Sequence, residues 1–309
     1  MAWQGKSRGT PLGYWFFIFF MRHLGLRFTY SFLRFVALYF HLFDRKSNRA
    51  IMQFLARVNG LSGPKARLAR YRTYYTFGQV LIDRVAILSG MQDHFTFKSE
   101  GHGHISRMVD EGTGGMLISA HVGNWEIAGN LLQLREGVIN VVMYDAEKQQ
   151  VQRQLDSTTG GRKFKIIGIK EDMSHMFEIA DALMVNREIV CMHGDRYMPG
   201  MRTLKCQFLG REAHFPYGPF AIAAKFDGPK SFVYGMRVGD RSCTFHATDP
   251  IVGKCRPEDV LKAYVAELER MARLYPQQWF NFYDFWAVPS DAEEQRPLTR
   301  PKLNRMEPA

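Results

Sequence analysis

Gly114-Gly-Met-Leu-Ile-Ser-Ala-His121-Val-Gly-Asn-Trp-Glu126 is the stretch on which the fold turns. Gly114 and Gly115 mark a turn, and residues 116–120 form an apolar run of the length of a buried strand. Asn124-Trp-Glu-Ile-Ala-Gly-Asn-Leu-Leu reads as a helix starting just beyond it. His121 then stands at the carboxyl tip of a strand, where open α/β sheets place their ligands. Glu126 falls in the first helical turn, whose positive dipole end keeps a carboxylate ionised. Gly123 lets the backbone turn sharply, and free N–H groups at the helix start by Asn124 favour negative charge. An imidazole oriented by a carboxylate can take a proton from an alcohol and so activate a weak nucleophile. The same spacing also suits a histidine capped by a carboxylate for structural reasons, and in a chain with ten histidines it arises by chance. No G-x-S-x-G is present, so the pair is suited to a substrate's hydroxyl and not to one of the protein's own.

Outward from this segment, short apolar runs alternate with helical patterns. Strands are predicted at residues 116–120, 138–143, 164–169, 188–193, 205–208, 231–237 and 243–247. Helices are predicted at 48–58, 64–88, 125–134, 148–155, 173–186, 218–226 and 257–275. The last opens with Pro257-Glu-Asp259 and carries an apolar stripe through Val260, Leu261, Tyr264, Val265, Leu268 and Met271. The alternation predicts the α/β class, a mostly parallel or mixed central sheet flanked by helices. Four stretches are expected: a flexible leader (1–12), a helical membrane-anchoring segment (13–45), the α/β domain (46–289) and a charged, disordered tail (290–309).

The anchoring segment is rich in aromatic and aliphatic residues but is broken by Arg22, Arg27 and Arg34, short of the ~18 uninterrupted apolar residues of a spanning helix. His23, Arg27, Arg34 and His41 share one helical face, the pattern of an amphipathic helix lying in a membrane interface. Basic residues on both sides of it predict that both ends stay cytoplasmic. The formal charge of +11 and pI near 9.5 call for an acidic partner or surface. Basic and aromatic residues interleave over 65–75, which suits a lipid headgroup surface, and no nucleic acid is invoked. Cys191, Cys206, Cys243 and Cys255 are widely spaced, as reduced, mostly buried thiols are, and not as a disulfide scaffold or zinc site.

Two further clusters follow strand-like runs. In Cys191-Met-His193-Gly-Asp195-Arg196, Asp195 and Arg196 can bind a headgroup, the arginine offering a planar fork to phosphate; a structural ion pair and a core His193 are the competing accounts. Phe208-Leu-Gly210-Arg211…Phe215-Pro…Gly218-Pro219 reads as a strand, a tight turn and the start of a helix. Together with Ala120-His-Val-Gly-Asn-Trp-Glu126, these segments resemble the bacterial lipid A biosynthesis (lauroyl/myristoyl) acyltransferase family, within the wider lysophospholipid acyltransferase group. Pro276-Gln-Gln278-Trp279 matches that family's late Pro-x-Gln-aromatic segment, and the likeness covers roughly residues 13 to 286.

The resemblance implies transfer of a fatty acyl group from acyl carrier protein, or acyl-CoA, to a hydroxyl of a glycolipid such as a lipid A precursor. The expected place is the cytoplasmic face of the bacterial inner membrane. It implies His121 as general base and Glu126 as its orienting partner. Asn124, Asp195, Arg196, Gly210 and Arg211 are implied to line the substrate site. No metal or redox cofactor is implied. Acyl carrier protein and anionic membrane lipid both answer the positive charge. The ending Phe280-Asn-Phe-Tyr-Asp-Phe-Trp286 departs from the lipid A enzymes, which carry basic residues there, and resembles relatives acting on aryl polyene or aminolipid precursors. Hydrolysis of a lipid by activated water and non-catalytic lipid binding are the other readings.

Overall fold

A computed structural model describes residues 11–124, 139–144, 164–170 and 172–287. The chain opens with three helices, α1 (Pro11–Phe43), α2 (Arg45–Asn59) and α3 (Gly63–Leu88). Next come β1 (Thr96–Glu100), α4 (His102–Asp110), β2 (Gly115–Ser119), β3 (Ile139–Tyr144) and β4 (Lys165–Ile169). Then follow α5 (His175–Ala180), which runs on as a π-helical turn at Asp181–Val185, and β5 (Ile189–His193). A hairpin of β6 (Thr203–Phe208) and β7 (Arg211–Pro216) precedes α6 (Tyr217–Lys225), β8 (Lys230–Gly239), β9 (Ser242–Ala247) and α7 (Pro257–Leu274).

Seven strands form one sheet in the order β1-β9-β8-β2-β5-β3-β4. Only the β8–β9 pair is antiparallel, so the mostly parallel α/β sheet read from the sequence is the fold. β2 lies at the centre, buried along its whole length, as a parallel strand covered on both faces must be. Its side chains alternate. Met116 and Ile118 join the core built by α2, α6 and α7, while Leu117 packs with Ile105 and Met108 of α4 on the other face. The stripe anticipated on α7 is buried at every position from Val260 to Met271.

Two strands escaped the sequence reading. β1 is an edge strand, largely exposed and polar, without an apolar alternation. β7 begins with Arg211-Glu212 and pairs only with β6, so its opening reads as turn. The helices expected at 125–134 and 148–155 and the tail at 290–309 lie outside the described residues.

α1 kinks at Gly25, whose φ of 77° and ψ of 170° are non-helical, and runs against α3. Met21, Leu26, Tyr30 and Leu33 pack with Ile82, Ala86 and Ile87 of α3. Leu24, Phe28, Phe35, Leu38, Tyr39, Leu42 and Phe43 face outward, Phe35 with 70% of its surface exposed. No helix among the described residues is long and apolar enough to cross a membrane. A buried polar knot ties this layer to the sheet: Tyr30 Oη of α1 donates to Asp83 of α3, and Arg237 Nε of β8 donates to the same carboxylate at 2.9 Å. Burial works against the Arg237 charge, but Asp83 more than offsets it and raises the guanidinium's proton affinity.

Candidate active site

His121 sits two residues past the end of β2, and Asp195 two residues past the end of β5. The two strands are parallel neighbours with Ser119 opposite His193, so their carboxyl tips deliver both side chains to one place. Asp195 Oδ1 is 2.8 Å from His121 Nδ1, and Asp195 Oδ2 accepts the backbone N–H of His121 at 3.0 Å. One carboxylate thus fixes the ring and the main chain that carries it. Asp195 is fully buried. Burial alone would raise its pKa, but His121, by charge and hydrogen bond, with Arg196 and His193, holds the carboxyl well below the usual carboxylate range. A buried, ionised carboxylate on a histidine's Nδ1 favours the tautomer with its proton on that nitrogen, an arrangement also found in hydrolytic triads.

The turn after His121 is clamped from two sides. Gly123 N–H donates to Gln278 O at 2.8 Å, Asn124 N–H to Gly235 O at 2.5 Å, and Phe280 N–H to His121 O at 3.1 Å. Gly123 has a φ of 61°, and a Cβ there would stand 2.1 Å from Gly235 O, so only glycine fits. Gln278 in turn is locked to β8, accepting from Arg237 N–H at 2.9 Å and donating to Arg237 O at 2.6 Å. Asn124 is buried, and its Nδ2 has no hydrogen-bond partner among the described residues.

The residues singled out in the sequence separate into groups. His121, Asn124 and Asp195 share the sheet edge. Arg196 lies beside them, but its guanidinium engages the protein itself, donating to Phe280 O at 2.8 Å and to Asn281 Oδ1 at 3.3 Å. Gly210 and Arg211 form the exposed turn of the β6–β7 hairpin, which is anchored by Phe208 stacking on Trp286 and accepting its Nε1–H at 3.2 Å. Glu126 lies outside the described residues. The carboxylate found on Nδ1 is Asp195, supplied from 74 positions along the chain and read in the sequence only as a substrate-site residue. His193, read only as a possible core histidine, stacks on His121 with ring centroids 4.4 Å apart. Burial first, and His121 second, lower its pKa well below the ordinary histidine value. His121, His193 and Asp195 offer two imidazoles and a carboxylate within 4.8 Å, a donor set chemically able to hold a divalent cation. The cysteines are free; burial pushes Cys191 and Cys243 up to about 12, so neither is a nucleophile at neutral pH.

A histidine bonded to a buried carboxylate at the carboxyl edge of a mostly parallel sheet, where α/β enzymes hold their ligands, is the candidate site. The chain belongs to the bacterial lipid A biosynthesis acyltransferase family, whose model matches residues 7–286. It is also similar to the phosphatidylinositol mannoside acyltransferase of Mycobacterium tuberculosis (strain ATCC 25618 / H37Rv), 24% identical over 126 residues, 40% of this chain and 39% of that protein. The protein of the same name from strain CDC 1551 / Oshkosh matches with the same identity and coverage. The chain thus matches about two fifths of the length of these curated relatives.

Proposed function

We propose that this protein transfers a fatty acyl chain from the thioester of an acyl carrier protein to a hydroxyl of a membrane glycolipid. The observation that carries the reading is the His121–Asp195 pair, a histidine whose Nδ1 is bound to a buried carboxylate at the carboxyl edge of the sheet. In the reaction, His121 Nε2 takes the acceptor's hydroxyl proton as its oxygen attacks the thioester carbonyl. Asn124 Nδ2 donates to the oxyanion that forms. The C–S bond then breaks, and the imidazolium returns the proton to the departing thiolate. Asp195 stabilises the imidazolium throughout and stays ionised.

The helical layer supports a membrane-surface location, which we assign to the cytoplasmic face of the bacterial inner membrane. Residues 1–82 hold 13 lysines and arginines and one acidic residue, Asp44, out of 41 and 30 in the whole chain. The first 82 residues thus carry a charge of +12, and the other 227 carry −1. On α1 the exposed apolar face is flanked by exposed Arg27 and Arg34, and Arg70 of α3 bonds the neighbouring His41. Apolar side chains at acyl depth and cations at phosphate depth favour an anionic bilayer. The acidic carrier protein answers the same charge.

The test is acyl transfer by detergent-solubilised protein from radiolabelled acyl carrier protein to total membrane lipid, the product identified by mass spectrometry. Labelled glycolipid that disappears with His121→Ala establishes the reaction. Another labelled lipid changes the acceptor, free fatty acid alone makes the protein a hydrolase, and turnover unchanged without His121 overturns the mechanism.

A further inference from the structure

His193 has no part in the proton transfers above, yet it is the side chain laid against the base. Its ring packs on His121 at 4.4 Å between centroids and 34° between planes. Its own placement is over-determined. It ends β5 opposite Ser119, and the next residue's N–H donates to Ser119 O at 2.9 Å. Tyr264 Oη of α7 donates to that same carbonyl at 3.0 Å, and Gly194 leaves no room for a Cβ between Phe220, Ile118 and Tyr264. The backbone that carries the imidazole is therefore held between the two central strand tips.

We propose that His193 is a positioning residue: its ring, laid against that of His121, holds the His121 imidazole on Asp195 and shields their hydrogen bond from water. The inference rests on His121 being the general base and adds the element that keeps it in register. Two physical reasons favour the arrangement. A ring pinned at one nitrogen still rocks about that bond, and a flat neighbour on its face removes the freedom that would carry Nε2 off line. Excluding water from that face also strengthens the Nδ1–carboxylate bond in its low-dielectric surroundings.

The experiment compares wild type with His193→Ala and His193→Phe, each checked for fold by circular dichroism. Proton NMR follows the far-downfield resonance of the His121 Nδ1–H bound to Asp195, assigned by its loss in His121→Gln. Steady-state acyl transfer supplies kcat and KM. His193→Ala loses the downfield resonance and about 10- to 100-fold in kcat with KM within about twofold, the mark of lost alignment and not lost binding. His193→Phe, which keeps a flat ring on the same face, restores the resonance and most of kcat. A downfield resonance and kcat both intact in His193→Ala overturn the proposal, as does equal loss in both variants. The resonance needs no substrate, so it decides the role of His193 even if acyl transfer is not the reaction.

Discussion

At the scale of the residue, the site comes down to one carboxylate with two tasks. Asp195 accepts from the ring and from the main chain of His121, so Asp195→Asn keeps the shape and removes the charge that stabilises the imidazolium. Acyl transfer by that variant falls about 10²- to 10⁴-fold in kcat, as when the carboxylate of a hydrolytic triad is neutralised. Asn124→Ala, which removes the open amide donor, lowers kcat about 10²-fold with KM little changed. Asp195 also bears on stability. Its folded pKa is depressed, so the folded state binds this proton less readily than the unfolded chain. Its stabilisation is complete above the unfolded value of about 3.9 and is lost as pH falls from there toward the folded pKa. Thermal melts at pH 7 and at successively lower pH should therefore show the gap between wild type and Asp195→Asn closing below about pH 4; a gap that widens there contradicts the sign. His121 and its setting were legible because strand, turn and helix start are local signals. Its bond to Asp195 was not, because only the β2–β5 pairing brings that carboxylate close.

Elements add what single residues cannot, because the helical layer and the sheet meet through buried charge. Asp83 of α3 is fully buried and satisfies both Arg237 of β8 and Tyr30 of α1. Asp83→Asn leaves a guanidinium buried without its counter-charge, and chemical denaturation should register a loss of about 3–5 kcal/mol. Tyr30→Phe, which removes one neutral donor from the same knot, costs about 1 kcal/mol. Arg237 also holds Gln278, whose carbonyl receives Gly123 N–H, so the knot stands two hydrogen bonds from the catalytic turn. The outward face of α1 plays no part in this packing. Phe35→Ser combined with Tyr39→Ser should leave the fold and the solution melting temperature unchanged while sharply weakening sedimentation with lipid vesicles; binding at wild-type strength would remove α1 from the membrane contact. Period and composition disclosed the long helices and the buried strands. Edge strand β1 and the polar start of β7 stayed hidden because a strand exposed on both faces carries no apolar alternation.

Across the whole molecule the charge is segregated. The first 82 residues carry +12, and the remaining 227 nearly balance to −1. A protein whose net charge lies in its first 82 residues should bind anionic vesicles strongly at low salt and lose most of that binding as ionic strength rises through about 0.15–0.5 M, while neutral phosphatidylcholine vesicles bind weakly at every salt. Salt-independent binding would leave the apolar face of α1 as its sole source. What the sequence by itself determined is whatever depends on near neighbours along the chain: alternation of strand and helix, the strand-tip position of His121, the stripe of α7 and the amphipathic character of α1. These are set by side-chain period and by the conformational limits of residues such as Gly123. What only the tertiary structure decided is which distant groups meet. Parallel pairing of β2 with β5 sets Ser119 opposite His193, and from that register follow both the carboxylate on His121 Nδ1 and the imidazole on its face. The packing of α1 on α3 likewise chose which of its apolar residues to bury. The physical reason is the same for both: contacts between residues far apart in the chain are fixed by the register and packing of the elements that carry them, and the residues at the contact carry no local sign of the partner they will find.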